Sequence, residues 1–183
     1  MPPTPILAVK YKILMAVVPA IVAIDQITKL KIVESFTLGE SFNVLPGLFS
    51  LTYVRNNGAA FGILAQSHPE FRIPFFLAVP VIALAVIAHL FRKLGPQDRK
   101  LAFALSLVIG GALGNFIDRA RLTFVVDFLD FYWGVNHFPA FNVADSAICV
   151  GVALLMLDLA FQKDGQPKKG QPKKGQYDAS TPV

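Results

Sequence analysis

The sequence predicts an all-α membrane protein: a four-transmembrane-helix bundle with a small β-sheet and an interfacial aromatic loop or short helix on its outer face. Hydrophobic residues make up 54% of the 183 positions and charged residues only 16%, whereas a soluble domain has about 25% charged residues. Such hydrophobicity argues against disorder for most of the chain. The apolar residues also fall into four stretches close to the roughly 20 residues that cross a bilayer.

The four spans are placed at about residues 13–28, 74–91, 101–118 and 142–161. The first and last carry an acid near one end, Asp25 and Asp145. The first span also resembles a secretory signal peptide, because basic residues precede its apolar core, but no clear Ala-x-Ala cleavage site follows it.

The basic residues predict the orientation of the spans. Eleven of the 17 Lys and Arg residues lie before span 1, between spans 2 and 3, and after span 4. Since cytoplasmic segments are rich in Lys and Arg, both termini are expected in the cytoplasm and two loops, about 30–73 and 119–141, outside. Residues 1–161 form one predicted domain. Residues 162–183, which repeat Gly-Gln-Pro-Lys-Lys, are expected to be a disordered basic cytoplasmic tail.

The two outer loops differ in their patterns. In the first, residues 48–54 alternate and are rich in β-formers, and residues 42–45 precede them across Pro46-Gly47, which predicts a hairpin. The second is rich in aromatic residues, which gather at the membrane–water boundary. These are Phe124, Phe128, Phe131, Tyr132, Trp133, Phe138 and Phe141.

Five acids are predicted to meet in one shallow layer, because adjacent spans run in opposite directions. They are Asp25, Asp118, Asp127, Asp130 and Asp145. Ionisable groups in a membrane are costly and suggest a functional site. Simpler roles exist for single acids: Asp25 can pair with Lys29 across one helical turn, and Asp145 can favour a helix N-terminus.

The third span supports the idea of a site. Gly111, Asn115 and Asp118 recur on one helical face, and Gly110 and Gly114 would let another helix approach closely. The glycines are explained by packing, whereas a buried Asn115 needs a polar partner.

Few catalytic mechanisms fit the residues of this chain. The chain has no His-Glu-x-x-His zinc motif and no Gly-x-Ser-x-Gly elbow, and its single cysteine, Cys149, is expected to be a buried inert thiol. A pair of carboxylates acting on water remains, since two close carboxylates share a proton and can serve as base and acid together. Composition alone does not say which two of the five acids form the pair.

Five ordered blocks resemble the signature of the lipoprotein signal peptidases, also called type II signal peptidases. The blocks are Asp25-Gln-Ile-Thr-Lys29, Asn57-Gly-Ala-Ala-Phe61, residues 110–119, Val125-Val-Asp-Phe128 and residues 141–148. The resemblance covers about residues 13–161 and argues against a cleaved first span.

The resemblance implies an aspartic endopeptidase of the bacterial inner membrane. Such an enzyme cuts diacylglyceryl-modified prolipoproteins just before the lipidated cysteine. By match to the blocks, Asp127 and Asp145 would be the catalytic pair. The supporting and substrate-positioning residues would be Asp25, Lys29, Asn57, Gly58, Asn115, Arg119 and Asn142. Asn142 could cap span 4 or bind substrate, whereas Asp130 and Cys149 match no required position.

The expected partners are prolipoprotein substrates and membrane lipids. No metal, other cofactor or nucleic acid is expected, and the protein is predicted to be a monomer. The alternative function is a small transporter or assembly factor that uses its acids as a proton relay. A relay needs ionisable groups through the depth of the span, and the middles of the four spans lack acidic and basic residues.

Overall fold

The computed structural model describes residues 7–58, 64 and 67–164. Residues 59–61 of the second signature block and residues 165–183 of the predicted tail lie outside this described part. The elements, in chain order, are α1 (Leu7–Ser35), β1 (Ser41–Leu45), β2 (Phe49–Asn56), α2 (Pro69–Lys93), α3 (Arg99–Leu122), β3 (Val125–Trp133), β4 (Asn136–His137) and α4 (Val143–Asp164). Each of these four helices is long and apolar enough to cross a membrane, which confirms the prediction of four such helices. Helices α1 and α2 extend well beyond the predicted spans.

Helix α3 lies at the centre of the bundle and packs against α1, α2 and α4. It is by far the most buried of the four spans. Its small residues explain the close contacts: a Cβ on Gly110 would lie 2.9 Å from Ile21 of α1, and one on Gly111 would collide with the carbonyl oxygen of Ala144 on α4. The predicted small-residue packing surface is therefore present.

Lys10 ties the beginning of α1 to the end of α2. Its Nζ donates hydrogen bonds to the carbonyl oxygens of Arg92 and Leu94 at 3.0 and 2.8 Å. These are the carbonyls that a helix C-terminus leaves without partners. The bundle is thus closed by a charged contact at the end where α2 finishes.

The four strands form one antiparallel sheet in the order β1-β2-β3-β4. The predicted hairpin of β1 and β2 is confirmed, with Ser41 opposite Thr52 and a positive φ of 82° at Gly47 in the turn. Ile32 of α1 packs with Tyr53, Val126 and Phe128 of the sheet. This apolar cluster fixes the sheet where α1 ends and α4 begins, called the sheet end of the bundle below.

The second predicted loop differs from the expectation of an irregular or helical segment. Its middle part is strand β3, which pairs with β2 and places Ser50 opposite Asp130. Its run of Val, Phe, Tyr and Trp has high strand propensity, and the ladder with β2 satisfies its backbone groups. The aromatic residues indicate strand pairing as much as an interfacial position.

The prediction that Cys149 is buried is wrong, because this residue is exposed on the surface of α4. A thiol on the outer surface of a membrane helix needs no polar partner, since cysteine behaves as a small apolar residue.

Candidate active site

Asp127 and Asp145 both lie at the sheet end, and Asn142 contacts both of them. Asp127 is in β3 and Asp145 is in the first turn of α4. The side-chain Nδ2 of Asn142 donates to Oδ1 of Asp127 at 2.7 Å. Its backbone N–H donates to Oδ2 of Asp145 at 3.2 Å, and its Oδ1 accepts from the backbone N–H of Asp145 at 2.9 Å.

The course of the chain after β3 explains this meeting. The carbonyl oxygen of Phe141 accepts from the backbone N–H groups of Phe128 and Leu129 at 3.0 and 2.8 Å. Residue 141 therefore docks on β3, and Asn142 follows it directly beside Asp127. Because α4 begins at Val143, Asn142 also caps the N-terminus of that helix. Capping is one of the two roles predicted for it.

Asp127 is almost fully buried, with an exposed fraction of 2%. Burial raises the pKa of its carboxyl group to about 7, and the nearby charge of Asp145 acts in the same direction. Hydrogen bonds from Asn56 and Asn142 oppose the rise; the Nδ2 of Asn56 lies 2.9 Å from Oδ2 of Asp127. Asp127 can therefore exchange a proton near neutral pH.

Asn115 links Asp145 to a buried lysine. Its Nδ2 donates to Oδ1 of Asp145 at 2.7 Å, and its Oδ1 accepts from Nζ of Lys29 at 3.0 Å. The same Oδ1 accepts from Nδ2 of Asn142 at 3.2 Å. The polar partner that a buried Asn115 requires is therefore supplied on both sides of its amide.

Lys29 is paired with two buried carboxylates. Its Nζ lies 2.8 Å from Oδ2 of Asp25 and 3.0 Å from Oδ2 of Asp118, and all three side chains are at most 4% exposed. The predicted i, i+4 pair of Asp25 and Lys29 is present, but it lies inside the bundle rather than at an exposed helix end. Charges buried to this extent require such partners.

Each of the two carboxylates also accepts a backbone N–H. Oδ1 of Asp25 accepts from Ala144 at 2.9 Å, and Oδ2 of Asp118 accepts from Val126 at 3.1 Å. The Nε2 of Gln26 donates to the other oxygen of Asp118 at 2.9 Å.

Arg119 and Gly58 meet at the edge of this group. A guanidinium nitrogen of Arg119 donates to the carbonyl oxygen of Gly58 at 3.1 Å, and the guanidinium lies 5.2 Å from the ring centre of Phe76. The arginine therefore holds the segment that follows β2 against α2 and α3. Asn57 is exposed, whereas Gly58 is buried.

Asp130 does not join the other four acids. Its carboxylate contacts Nδ1 of His137 at 2.9 Å and thereby links β3 to β4. In the described part of the chain, no group of three or more His, Cys, Asp or Glu residues has the arrangement of a metal site.

Three residues in direct contact with this network, Gln26, Asn56 and Asp118, were not among the predicted site residues. Gln26 lies within the first signature block, and Asp118 is one of the five converging acids, so both carried a signal. Asn56 precedes the predicted Asn57, and the sequence does not distinguish which of the two faces β3.

Comparisons with known proteins find matches that cover most of the chain. A family model described as Signal peptidase (SPase) II, Peptidase_A8, matches residues 17–161. A lipoprotein signal peptidase of Geobacter metallireducens is 52% identical over 158 residues, covering 86% of this chain and 96% of the relative. One of Geobacter sulfurreducens is 55% identical over 149 residues, covering 81% and 92%.

Two solved structures share the fold, and both are titled bacterial membrane enzymes obtained by the in meso method. One, at 2.3 Å resolution, has a TM-score of 0.77 and 36% identity, covering 87% of this chain and 94% of the other. The second, at 1.9 Å resolution, has a TM-score of 0.70 and 39% identity, covering 80% and 91%.

Proposed function

This chain belongs to the signal peptidase II family, and from that membership we propose how its residues carry out the reaction. It is a membrane aspartic endopeptidase that processes prolipoproteins. We propose Asp127 and Asp145 as the catalytic pair. The observation that carries this assignment is the single asparagine, Asn142, that contacts both carboxylates.

The proposed reaction is a direct attack of water on the peptide bond before the lipidated cysteine. One aspartate of the pair is ionised and takes a proton from the water, whose oxygen bonds to the carbonyl carbon. The other aspartate is protonated and donates a hydrogen bond to the carbonyl oxygen, which takes up negative charge. The carbon–nitrogen bond then breaks, and the cysteine nitrogen receives a proton from the pair.

The products are a signal peptide with a free carboxyl group and a lipoprotein with a free amino-terminal cysteine. No acyl-enzyme forms. The pair shares its proton as a unit, so neither aspartate alone is assigned as the acid. The pKa of Asp127, raised to about 7 by burial, fits a pair that keeps one proton at neutral pH.

The remaining predicted residues are proposed to support this pair. Asn115 orients Asp145 by donating a hydrogen bond to it. Lys29, which is paired with Asp25, donates to the amide oxygen of Asn115 and so fixes that side chain. Arg119 holds Gly58, and we propose that Asn57 and Gly58 contact the substrate backbone.

We propose that the protein acts as a monomeric domain of residues 1–161 in the bacterial inner membrane. The distribution of Lys and Arg supports cytoplasmic termini and a catalytic pair near the outer face. Exposed apolar residues on the β3–β4 hairpin support contact with membrane lipids, since Trp133 and Val135 are 78% and 92% exposed. Residues 162–183 are proposed to be a basic cytoplasmic tail.

The transporter or assembly-factor alternative is not retained. The relatives are named as peptidases, and Asp25, Asp118, Asp127 and Asp145 gather at one end of the bundle rather than along its depth.

The test is incubation of the purified protein with a diacylglyceryl-modified prolipoprotein, followed by mass spectrometry of the products. We expect one cut before the modified cysteine, and loss of that cut in both Asp127→Asn and Asp145→Asn. Asp130→Asn is the matched control, because Asp130 lies on the same strand but pairs with His137. Normal cleavage by either variant of the pair would overturn the assignment, as would loss of wild-type activity on addition of a chelator.

A further inference from the structure

We propose that Asp118 is a positioning residue that, together with Asp25 and Lys29, holds the two chain segments bearing the catalytic pair at a fixed separation. This inference rests on the proposed assignment of Asp127 and Asp145. Asp118 would act on the pair through the backbone rather than by contact with the substrate.

The first observation is a pair of equivalent backbone contacts. The residue before Asp127 is Val126, whose N–H donates to Asp118 at 3.1 Å, and the residue before Asp145 is Ala144, whose N–H donates to Asp25 at 2.9 Å. One segment is a strand and the other the start of a helix. The same kind of bond therefore fixes two unrelated local structures at equivalent positions.

The second observation is that Lys29 joins the two carboxylates. Its Nζ lies 2.8 Å from Asp25 and 3.0 Å from Asp118, and it donates to Oδ1 of Asn115 at 3.0 Å. A lysine ammonium has three N–H donors, and these three acceptors match that number. The ammonium thus links α1 to α3 and, through both carboxylates, to β3 and α4.

The third observation is that both oxygens of Asp118 are held. Oδ1 accepts from Nε2 of Gln26 at 2.9 Å, while Oδ2 faces Lys29 and Val126. Gln26 also donates to the carbonyl oxygen of Gly114 at 3.2 Å. A carboxylate fixed at both oxygens cannot turn away from the strand that it holds.

The expected consequence concerns the rate of the chemical step. Hydrogen bonds to an ionised carboxylate are shorter and stronger than those between neutral groups, so a neutral side chain at position 118 should loosen β3. A displacement of about 1 Å between reacting groups can lower a rate on the order of 100-fold. A role in stability alone would reduce the amount of folded protein without changing the turnover of each folded molecule.

The test compares Asp118→Asn with Asp130→Asn, a variant that also neutralises a buried acid at the sheet end. Turnover is measured on a diacylglyceryl-modified prolipoprotein and divided by the amount of folded protein. We expect Asp118→Asn to lower kcat between about 10- and 100-fold with KM changed less than about twofold. Asp130→Asn should keep kcat within about twofold of the wild-type value.

An independent measurement follows the backbone directly. In ¹⁵N-labelled protein in detergent, the amide proton of Val126 should lie downfield in the wild type and move upfield in Asp118→Asn, with no comparable change in Asp130→Asn. If Asp118→Asn does not fold, Gln26→Ala removes the hydrogen bond to Oδ1 of Asp118, together with the weaker contacts to Asp25 and to the carbonyl oxygen of Gly114. It should lower kcat about threefold or more with KM unchanged.

The outcomes separate this inference from the proposed function. Normal kcat in folded Asp118→Asn, or an unmoved Val126 amide, would overturn the positioning role while the inactivity of Asp127→Asn still supports the catalytic pair. A fall in kcat matched by Asp130→Asn would also overturn it. Full activity in Asp127→Asn would instead refute the pair on which the inference depends.

Discussion

The Nδ2 of Asn142 lies 2.7 Å from Oδ1 of Asp127, and the two residues are 15 positions apart in the chain. The same asparagine caps α4 through a reciprocal pair of bonds with Asp145. One side chain therefore fixes the helix that carries one aspartate and the carboxylate of the other. The predicted capping role of Asn142 is therefore present, whereas its binding of substrate stays a prediction.

Replacing Asn142 with Ala should lower both stability and activity. Loss of an N-cap costs about 1 kcal/mol, and loss of the bond to Asp127 removes a constraint on the pair. We expect the cleavage rate to fall on the order of 100-fold, measured per folded molecule. Ser146→Ala is the control, because Ser146 donates only to the carbonyl oxygen of Asn142. Equal losses in the two variants would contradict this prediction.

The pH dependence of cleavage should report the proton shared by the pair. Since the pKa of Asp127 is raised to about 7, activity should fall above about pH 7 as the last proton leaves. The hydrogen bond from Asn56 lowers this pKa, so Asn56→Ala should move the alkaline limb of kcat/KM to higher pH. Asn43→Ala is the matched control, because Asn43 contacts Ser50 and Tyr132 instead. An alkaline limb that stays in place would refute the predicted effect of Asn56.

The contribution of Asp127 to the free energy of unfolding should decrease as the pH rises. A salt-bridged aspartate, whose pKa is lowered on folding, would show the opposite dependence. Below about pH 4 Asp127 is protonated in both the folded and the unfolded chain. Between pH 3.8, the ordinary pKa of an aspartate, and about pH 7, the raised pKa of Asp127, the unfolded chain has released a proton that the folded protein keeps. The free energy of unfolding therefore falls as pH rises, by up to about 1.4 kcal/mol per pH unit, and this contribution levels off above about 7.

Thermal unfolding in detergent between pH 4 and 8 checks this prediction. The Tm of the wild type should fall relative to that of Asp127→Asn from pH 4 to 7, and the two curves should run parallel above pH 7. A difference that stays constant across the whole range would show that burial does not raise the pKa of Asp127.

Gly114→Ala should disrupt the buried charge network. A Cβ at this position would lie 2.6 Å from Oδ2 of Asp25 and 3.2 Å from the Cβ of Ala144. We expect a destabilisation of about 1–3 kcal/mol from overpacking, together with reduced cleavage. Gly95→Ala is the control, since its new methyl group would meet only the side chain of Asp98, at 3.3 Å. Wild-type Tm and activity in Gly114→Ala would contradict the close packing of α1, α3 and α4.

The helices, the β1–β2 hairpin and the convergence of acids follow from local patterns in the sequence. Apolar runs of sufficient length predict spans, and antiparallel neighbours bring Asp25 and Asp145 to one end. The pairing of β3 with β2 was not predicted because it joins segments about 70 residues apart, as Val54 and Asp127 show. Aromatic composition alone does not separate such a strand from an interfacial loop.

The same limit applies to the site. Asp127, Asp145 and Asn142 were identified by resemblance of short blocks, which carries no geometry. The contacts of Gln26 with Asp118 and of Asn56 with Asp127 span 92 and 71 positions. Gln26 lies within the first signature block, but its contact with Asp118 follows only from the packing of α1 on α3. The contact of Asn56 with Asp127 follows only from the pairing of β2 with β3.

The spacing of small and polar residues along α3 also has a consequence for how the chain can change length. Gly111, Gly114, Asn115 and Asp118 contact α1, α4 and β3 from one helical face. Each inserted residue would turn the rest of the helix by about 100° and separate Asp118 from Lys29. Insertions and deletions between residues 111 and 118 should therefore abolish function, whereas the connections between elements can vary in length.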